Sequence, residues 1–172
     1  AIVTLISGPV TLDTPERVNR IDIESAEEMK EHVTANLSDI DLFISTAAVA
    51  DFKMKNAQVQ KIKKDKSKNM SLSLEKNEDI LKHVSDNNPD LKIVGFAAET
   101  ENMLDNARKK LSSKNLNLIV ANDVSDSSIG FDSNNNEVTL ITEKEELKIP
   151  KTSKEKVARK IVQFISKNIL ND

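Results

Sequence analysis

Ile44-Ser45-Thr46-Ala47-Ala48-Val49-Ala50-Asp51-Phe52, preceded by Asp41-Leu42-Phe43 and followed by Lys61-Ile62-Lys63-Lys64, decides the fold of this chain. The apolar run is too short for a helix of its own, so residues 42–44 read as a buried parallel strand. Residues 45–50 carry little side chain and make a tight exit, which Asp51 closes. In an open α/β sheet, ligands sit just beyond the carboxyl ends of strands, and small residues there let a ligand approach the backbone. A plain strand-to-helix joint has the same composition. The lysines that follow tip the reading toward a ligand site.

On the amino-terminal side, residues 2–6 read as a first strand closed by the turn former Ser7-Gly8-Pro9. Residues 18–23 form a second short strand. Ser25 then reads as a helix N-cap with Glu28 three residues on, and Met29, Val33 and Leu37 share the inner face. On the carboxyl-terminal side, residues 71–75 alternate like a half-buried strand. Asn77-Glu78-Asp79 heads a short helix through Val84, which Asn88-Pro89 ends. Residues 92–98 are another buried strand with a small-residue exit. A helix over 102–114 turns Met103, Ala107 and Leu111 inward, and a strand over 116–121 ends at Asn122-Asp123. Strand and helix in alternation predict a parallel sheet with right-handed crossovers. Residues 137–142 and 146–150 flank Glu143-Lys144-Glu145 as a β-hairpin, and Ser153 caps a last helix with Val157, Ile161, Phe164 and Ile165 inward. The expected class is α/β: a Rossmann-like three-layer fold with a mostly parallel sheet, plus a C-terminal β-hairpin and helix. No repeat or linker divides the chain, so a single domain over 1–172 is expected.

Composition narrows the function. A net charge of -3, from 25 basic and 28 acidic residues, leaves no footprint for bulk nucleic-acid binding. Aromatics are 3% of the chain, without Trp or Tyr, which argues against base-stacking platforms. There is no cysteine, hence no disulfide framework and no cysteine zinc site. No apolar run reaches the ~20 residues of a membrane helix, and nothing at the start resembles a signal peptide. A soluble cytoplasmic protein is expected. The chain opens at Ala1 directly on a strand, as a sheet protein can and as it equally would if an N-terminal piece preceded it.

Four strand exits end in small or turn residues: Ser7-Gly8-Pro9, residues 45–50, Ala97-Ala98 and Ala121-Asn122-Asp123. In one parallel sheet they would share an edge, a site for a nucleotide-sized molecule. The lysine-rich residues 53–69 cannot build much core and read as a mobile surface loop, either a solvated face or a closing lid beside that edge. Lys110 and Lys114 are i, i+4 neighbours, about 6 Å apart on a helix face. That spacing suits a polyphosphate, and it equally suits cations complementing a helix C-terminus, the reading that spacing alone favours. Asp51 and Asp79 are each either ligand-facing acids or helix-start residues. His32 and His83 read as surface residues and support no catalytic triad. Neither the GxGxxG nor the Walker A loop occurs.

Taken together, residues 44–52, Lys61-Ile62-Lys63-Lys64, Gly95-Phe96-Ala97-Ala98-Glu99-Thr100 and Ala121-Asn122-Asp123-Val124 resemble bacterial phosphopantothenate–cysteine ligase, the phosphopantothenoylcysteine synthetase of coenzyme A biosynthesis. The motifs recur in order over about residues 2–141. The resemblance implies a Rossmann-like homodimer using CTP, with Mg²⁺ carried by the triphosphate. The carboxylate of 4′-phosphopantothenate attacks the α-phosphate to give an acyl-cytidylate and pyrophosphate, and the amino group of L-cysteine then displaces CMP. It further implies that Ser45, Thr46, Ala47 and Asp51 lie in the nucleotide site and that Lys61 is the flap lysine needed for turnover. Glu78, Asp79, Ile80 and Leu81 match a loop beside the nucleotide, Phe96 packs near the base, and Lys110 and Lys114 stand at the phosphates. No residue is assigned as a metal ligand.

Two departures stand out. Glu78 occupies a position where the family usually has proline. The family's first glycine-rich strand exit, with the Ile-Thr-Asn and Ser-Ser-Gly segment that handles the acyl-cytidylate, has no counterpart here. In many bacteria the ligase is fused behind a flavin decarboxylase; nothing in this chain resembles that enzyme, so a separate ligase is expected. Rival readings are a non-catalytic Rossmann-like nucleotide-binding module and a nicotinamide-dependent oxidoreductase.

Overall fold

The computed structural model of the protein describes residues 1–56, 60, 71–99, 101–123 and 133–170. They fall into two compact units, one comprising residues 1–35 and 48–80, the other residues 36–47 and 81–172.

The second unit is built on a five-stranded sheet. Its strands are β3 (Leu42–Ser45), β6 (Lys92–Glu99), β7 (Leu118–Asp123), β8 (Asn135–Ile141) and β9 (Glu146–Ser153), side by side in that order. β3, β6 and β7 run parallel, whereas β8 and β9 are antiparallel to their neighbours. The expected α/β class, with its C-terminal hairpin and helix, is what forms. Alternation explains the layers. Val94, Leu118, Val120, Val138 and Leu140 point to one face, where Val157, Ile161, Phe164 and Ile165 of α4 (Lys154–Asn168) bury them. Ile93, Gly95, Ile119, Ala121 and Ile141 have the opposite parity, and α3 (Met103–Ser113) covers that face with Ala107 and Leu111. Strands buried on both faces read as continuous apolar runs, as 92–98 and 118–121 do.

Local chemistry fixes the helix ends. Ser153 caps α4, its Oγ accepting from the Lys156 N–H at 3.4 Å. Asn117 extends the ladder ahead of β7: its side-chain Oδ1 accepts from the Ile93 N–H at 2.7 Å, while its own N–H donates to the Ile93 carbonyl at 3.0 Å. β7 therefore starts at Leu118, two residues after the expected position. Asn115 takes a left-handed φ of 50° in that tight return from α3.

The first unit has small sheets only. β1 (Val3–Ser7) and β2 (Val18–Asp22) pair in parallel, and β4 (Phe52–Met54) and β5 (Leu74–Lys76) pair antiparallel. α1 (Ala26–Ala35) is capped as expected: the Glu28 N–H donates to Ser25 Oγ at 3.1 Å, and the Glu28 carboxylate reaches back to the Glu24 N–H at 2.7 Å. Val33 is buried; Leu37 lies past the helix end. Three expectations are corrected. The four exits do not share one sheet, because β1 pairs with β2 alone among the described strands. Residues 52–54, partly within the stretch read as a loop, form a strand, since Met54 stands opposite Leu74 and Phe52 opposite Lys76. His32 and His83 are half-buried rather than fully at the surface. Of the rest of the expected lid, residues 57–59 and 61–69, with Lys61, lie outside the described residues.

Candidate functional site

In the five-stranded unit, the exits of β3, β6 and β7 form one edge, because the three strands are parallel neighbours. Their ends are stepped. β3 stops at Ser45, opposite Gly95, whereas β6 and β7 stay paired four residues further, to Glu99 opposite Asp123. The side of β6 turned away from β7 therefore has no strand partner over residues 96–99 among the described residues. Ser45, Thr46 and Ala47 leave the sheet beside this unpaired side of β6. Thr46 and Ala47 are exposed and Ser45 is half-buried.

Gly95 has a packing role here. A Cβ at this position would stand 2.8 Å from Leu116 Cδ1 and 3.2 Å from Leu81 Cδ2. Leu81, in α2 (Ile80–Asn87), thus packs over β6 on the α3 face rather than standing free. Phe96 lies on the other face, half-buried against the α4 cluster.

On the α3 face the edge carries charge. Glu99 Oε1 accepts from Lys110 Nζ at 2.6 Å, and Glu99 Oε2 accepts from Asn106 Nδ2 at 3.1 Å. Lys110 is therefore joined to the β6 exit. Lys114 is the C-cap of α3, where its carbonyl accepts from Ser85 Oγ at 2.5 Å. Since α3 carries the chain from the β6 exit back to the start of β7, the Lys114 backbone stands toward the strand starts.

The remaining expected residues belong to the first unit. Asn77 binds the backbone of the small-residue stretch: its N–H donates to the Asp51 carbonyl and its Nδ2 to the Ala50 carbonyl, each at 2.8 Å. The Asp51 side chain is exposed. Glu78 accepts from Lys30 Nζ at 2.5 Å, Asp79 directly precedes α2, and Ile80 is buried.

One residue escaped the sequence reading as a site residue. Asn122, opposite Ala98 and Val138 near the β7 exit, buries its Oδ1 without a hydrogen-bond partner among the described residues. A buried unsatisfied acceptor costs about 1–3 kcal/mol, so it calls for a reason. It has the parity of Val120 and Phe96, on the α4 face. The signal available in sequence was an amide in an otherwise apolar strand.

An open cavity of about 610 Å³ lies at the opposite end of the sheet, lined by Ser85, Asn88, Lys92, Asn115, Asn117 and the 142–145 turn, among others. It contains the starts of β6 and β7 and the β8–β9 turn, and none of the β3, β6 and β7 exits. Among the described residues, no group of three or more His, Cys, Asp or Glu side chains is placed to hold a metal ion, and no helix is long and apolar enough to cross a membrane.

The sequence family described as "DNA/pantothenate metabolism flavoprotein C-terminal domain" matches residues 1–169. The coenzyme A biosynthesis bifunctional protein CoaBC of Vibrio vulnificus (strain YJ016) is 46% identical over 169 residues, which are 96% of this chain and 42% of that protein. The protein of the same name from Escherichia coli (strain K12) is 41% identical over 170 residues, covering 96% of this chain and 41% of its own length. The chain thus spans less than half of these relatives. Among solved structures, the C-terminal domain of a CoaBC protein superposes with a TM-score of 0.81 at 35% identity, covering 99% of this chain and 76% of that one. A DNA/pantothenate metabolism flavoprotein from Streptococcus pneumoniae shares the fold, with a TM-score of 0.78 at 18% identity, over 96% of this chain and 80% of its own.

Proposed function

The chain belongs to the DNA/pantothenate metabolism flavoprotein C-terminal domain family, and from that membership we propose that it is the phosphopantothenate–cysteine ligase of coenzyme A biosynthesis, CTP-dependent and built as one nucleotide-binding ligase domain. The observation that carries this reading is the stepped edge of β3, β6 and β7, where β6 has no strand partner over residues 96–99 among the described residues and Glu99 holds Lys110 at the strand exit. The relatives are coenzyme A biosynthesis proteins, which supports the coenzyme A part of this reading.

In the proposed reaction a carboxylate oxygen of 4′-phosphopantothenate attacks the α-phosphorus of CTP. The bond to the bridging oxygen breaks and pyrophosphate leaves. The amine of L-cysteine then attacks the acyl carbon, loses a proton, and CMP departs. Attack on a polyanion needs its charge offset, for which Lys61, Lys110 and Lys114 are the available cations; Mg²⁺ enters as the counter-ion of CTP. Ser45, Thr46, Ala47 and Asp51 would line the nucleotide, with Glu78, Asp79, Ile80 and Leu81 beside it and Phe96 near the base. A homodimer is part of the proposal: Phe52, Met54 and Leu74 expose an apolar strip along β4 and β5 that a second copy would cover. Such a protein would work in the cytoplasm, with no nucleic-acid or membrane partner.

The test is mass-spectrometric detection of 4′-phosphopantothenoylcysteine and CMP after incubation with 4′-phosphopantothenate, L-cysteine and Mg·CTP. Replacing Lys61 by Gln should lower turnover by about 10²–10³ while folding and most CTP affinity persist. Product absent from the unaltered enzyme would refute the ligase; unchanged turnover in Lys61→Gln would remove that residue's role.

A further inference from the structure

The carboxylate of Glu99 is engaged at both oxygens, by the Lys110 ammonium at 2.6 Å and by the Asn106 amide at 3.1 Å. The partners are unequally placed. The Glu99 side chain is 16% exposed at the sheet edge, and that of Lys110 is 45% exposed. Glu99 is the last residue of the β6 ladder, opposite Asp123. Asn106 is fixed in turn, its N–H bonded to the Asn102 carbonyl at 3.0 Å and its amide also donating to the Glu101 carbonyl at 3.1 Å. A half-exposed ion pair adds little to stability, so holding the fold together is a weak explanation for this arrangement. An ammonium has three donors, and the bond to Glu99 uses one. The other two remain available at the strand exit.

We propose that Glu99 is a positioning residue for Lys110, holding its ammonium at the β6 exit so that the remaining donors meet the nucleotide phosphates. This rests on the reading of Lys110 as a phosphate-side residue. Without the tether, a long flexible side chain samples many rotamers and meets the ligand rarely.

Charge and position make opposite forecasts for Glu99→Gln. A carboxylate that merely adds negative charge near the phosphates repels CTP, so its removal would tighten binding. A carboxylate that positions Lys110 helps, so its removal weakens it. The experiment measures KM for Mg·CTP and kcat by pyrophosphate release in Glu99→Gln, Lys110→Ala and the double variant, with thermal unfolding as the control for folding. The expected result is a rise of about tenfold in KM for Glu99→Gln, with a much smaller change in kcat, and no further rise when it is added to Lys110→Ala. A lowered or unchanged KM in Glu99→Gln, beside a raised KM in Lys110→Ala, overturns the positioning role alone. An unchanged KM in Lys110→Ala removes the phosphate role of Lys110 and this proposal with it. Should Glu99→Gln not fold, Asn106→Ala, which frees the other carboxylate oxygen, is expected to raise KM in the same direction; an unchanged KM there overturns the proposal.

Discussion

The two units use apolar strands in opposite ways. In the five-stranded unit, Ile93, Val94, Leu118, Ile119, Val120, Leu140 and Ile141 are all but sealed from solvent, because helices cover both faces of the sheet. In the other unit, Ile2 is 100% exposed, Phe52 is 58% exposed, and Val3, Leu5, Val10 and Leu12 stand open as well. Two-stranded sheets are marginal by themselves, so β1–β2 and β4–β5 draw little stability from pairing alone. A buried sheet holds the edge rigid, and the looser unit carries the Asp51 and Glu78 segments that the ligase reading assigns to the nucleotide.

The contrast can be broken by truncation. Leu118→Ala should cost about 2–5 kcal/mol in urea unfolding, since it empties a fully buried position, whereas Leu5→Ala should cost less than about 1 kcal/mol. A loss at Leu5 as large as that at Leu118 would mean that β1 is covered and that the contrast is false. Gly95→Ala is the intermediate case. The added methyl pushes Leu116 and Leu81, both flexible at their tips but tightly packed, for a cost of about 1–3 kcal/mol. A neutral result would show that the leucines move aside freely. Ser153→Ala should have the smallest effect, about 1 kcal/mol through the lost α4 cap, and at this chain length a drop of about 2–4 °C in melting temperature.

Much of the five-stranded unit was legible beforehand because its signals are local. The apolar runs at 92–98 and 118–121, the inward residues of α3 and the Ser153 cap each announce an element within a few residues. The other unit was legible only in part. Ser25 and Glu28 marked α1, but nothing near Phe52 announced β4, whose partner Leu74 lies across the lysine-rich stretch. Likewise, apolarity alone gave no sign that β1 would pair with β2 apart from the larger sheet. For the site, the exits of β3, β6 and β7 followed from small residues and topology. The Glu99–Lys110 tether and the unpartnered oxygen of Asn122 did not, because each depends on which side chains meet across elements. Lys110 and Lys114 looked equivalent by spacing, which gave no sign that Lys110 would bond Glu99.

The most direct test of the central claim asks which end of the five-stranded sheet receives the nucleotide. Backbone amide resonances followed during titration with Mg·CTP would read both ends at once. The account predicts shifts concentrated at Ser45, Thr46, Ala47, Phe96, Ala98, Glu99 and Asn122, with Asn88, Lys92, Asn115 and Asn117 unmoved. Shifts centred on the latter group would place the ligand in the cavity at the strand starts and contradict the account.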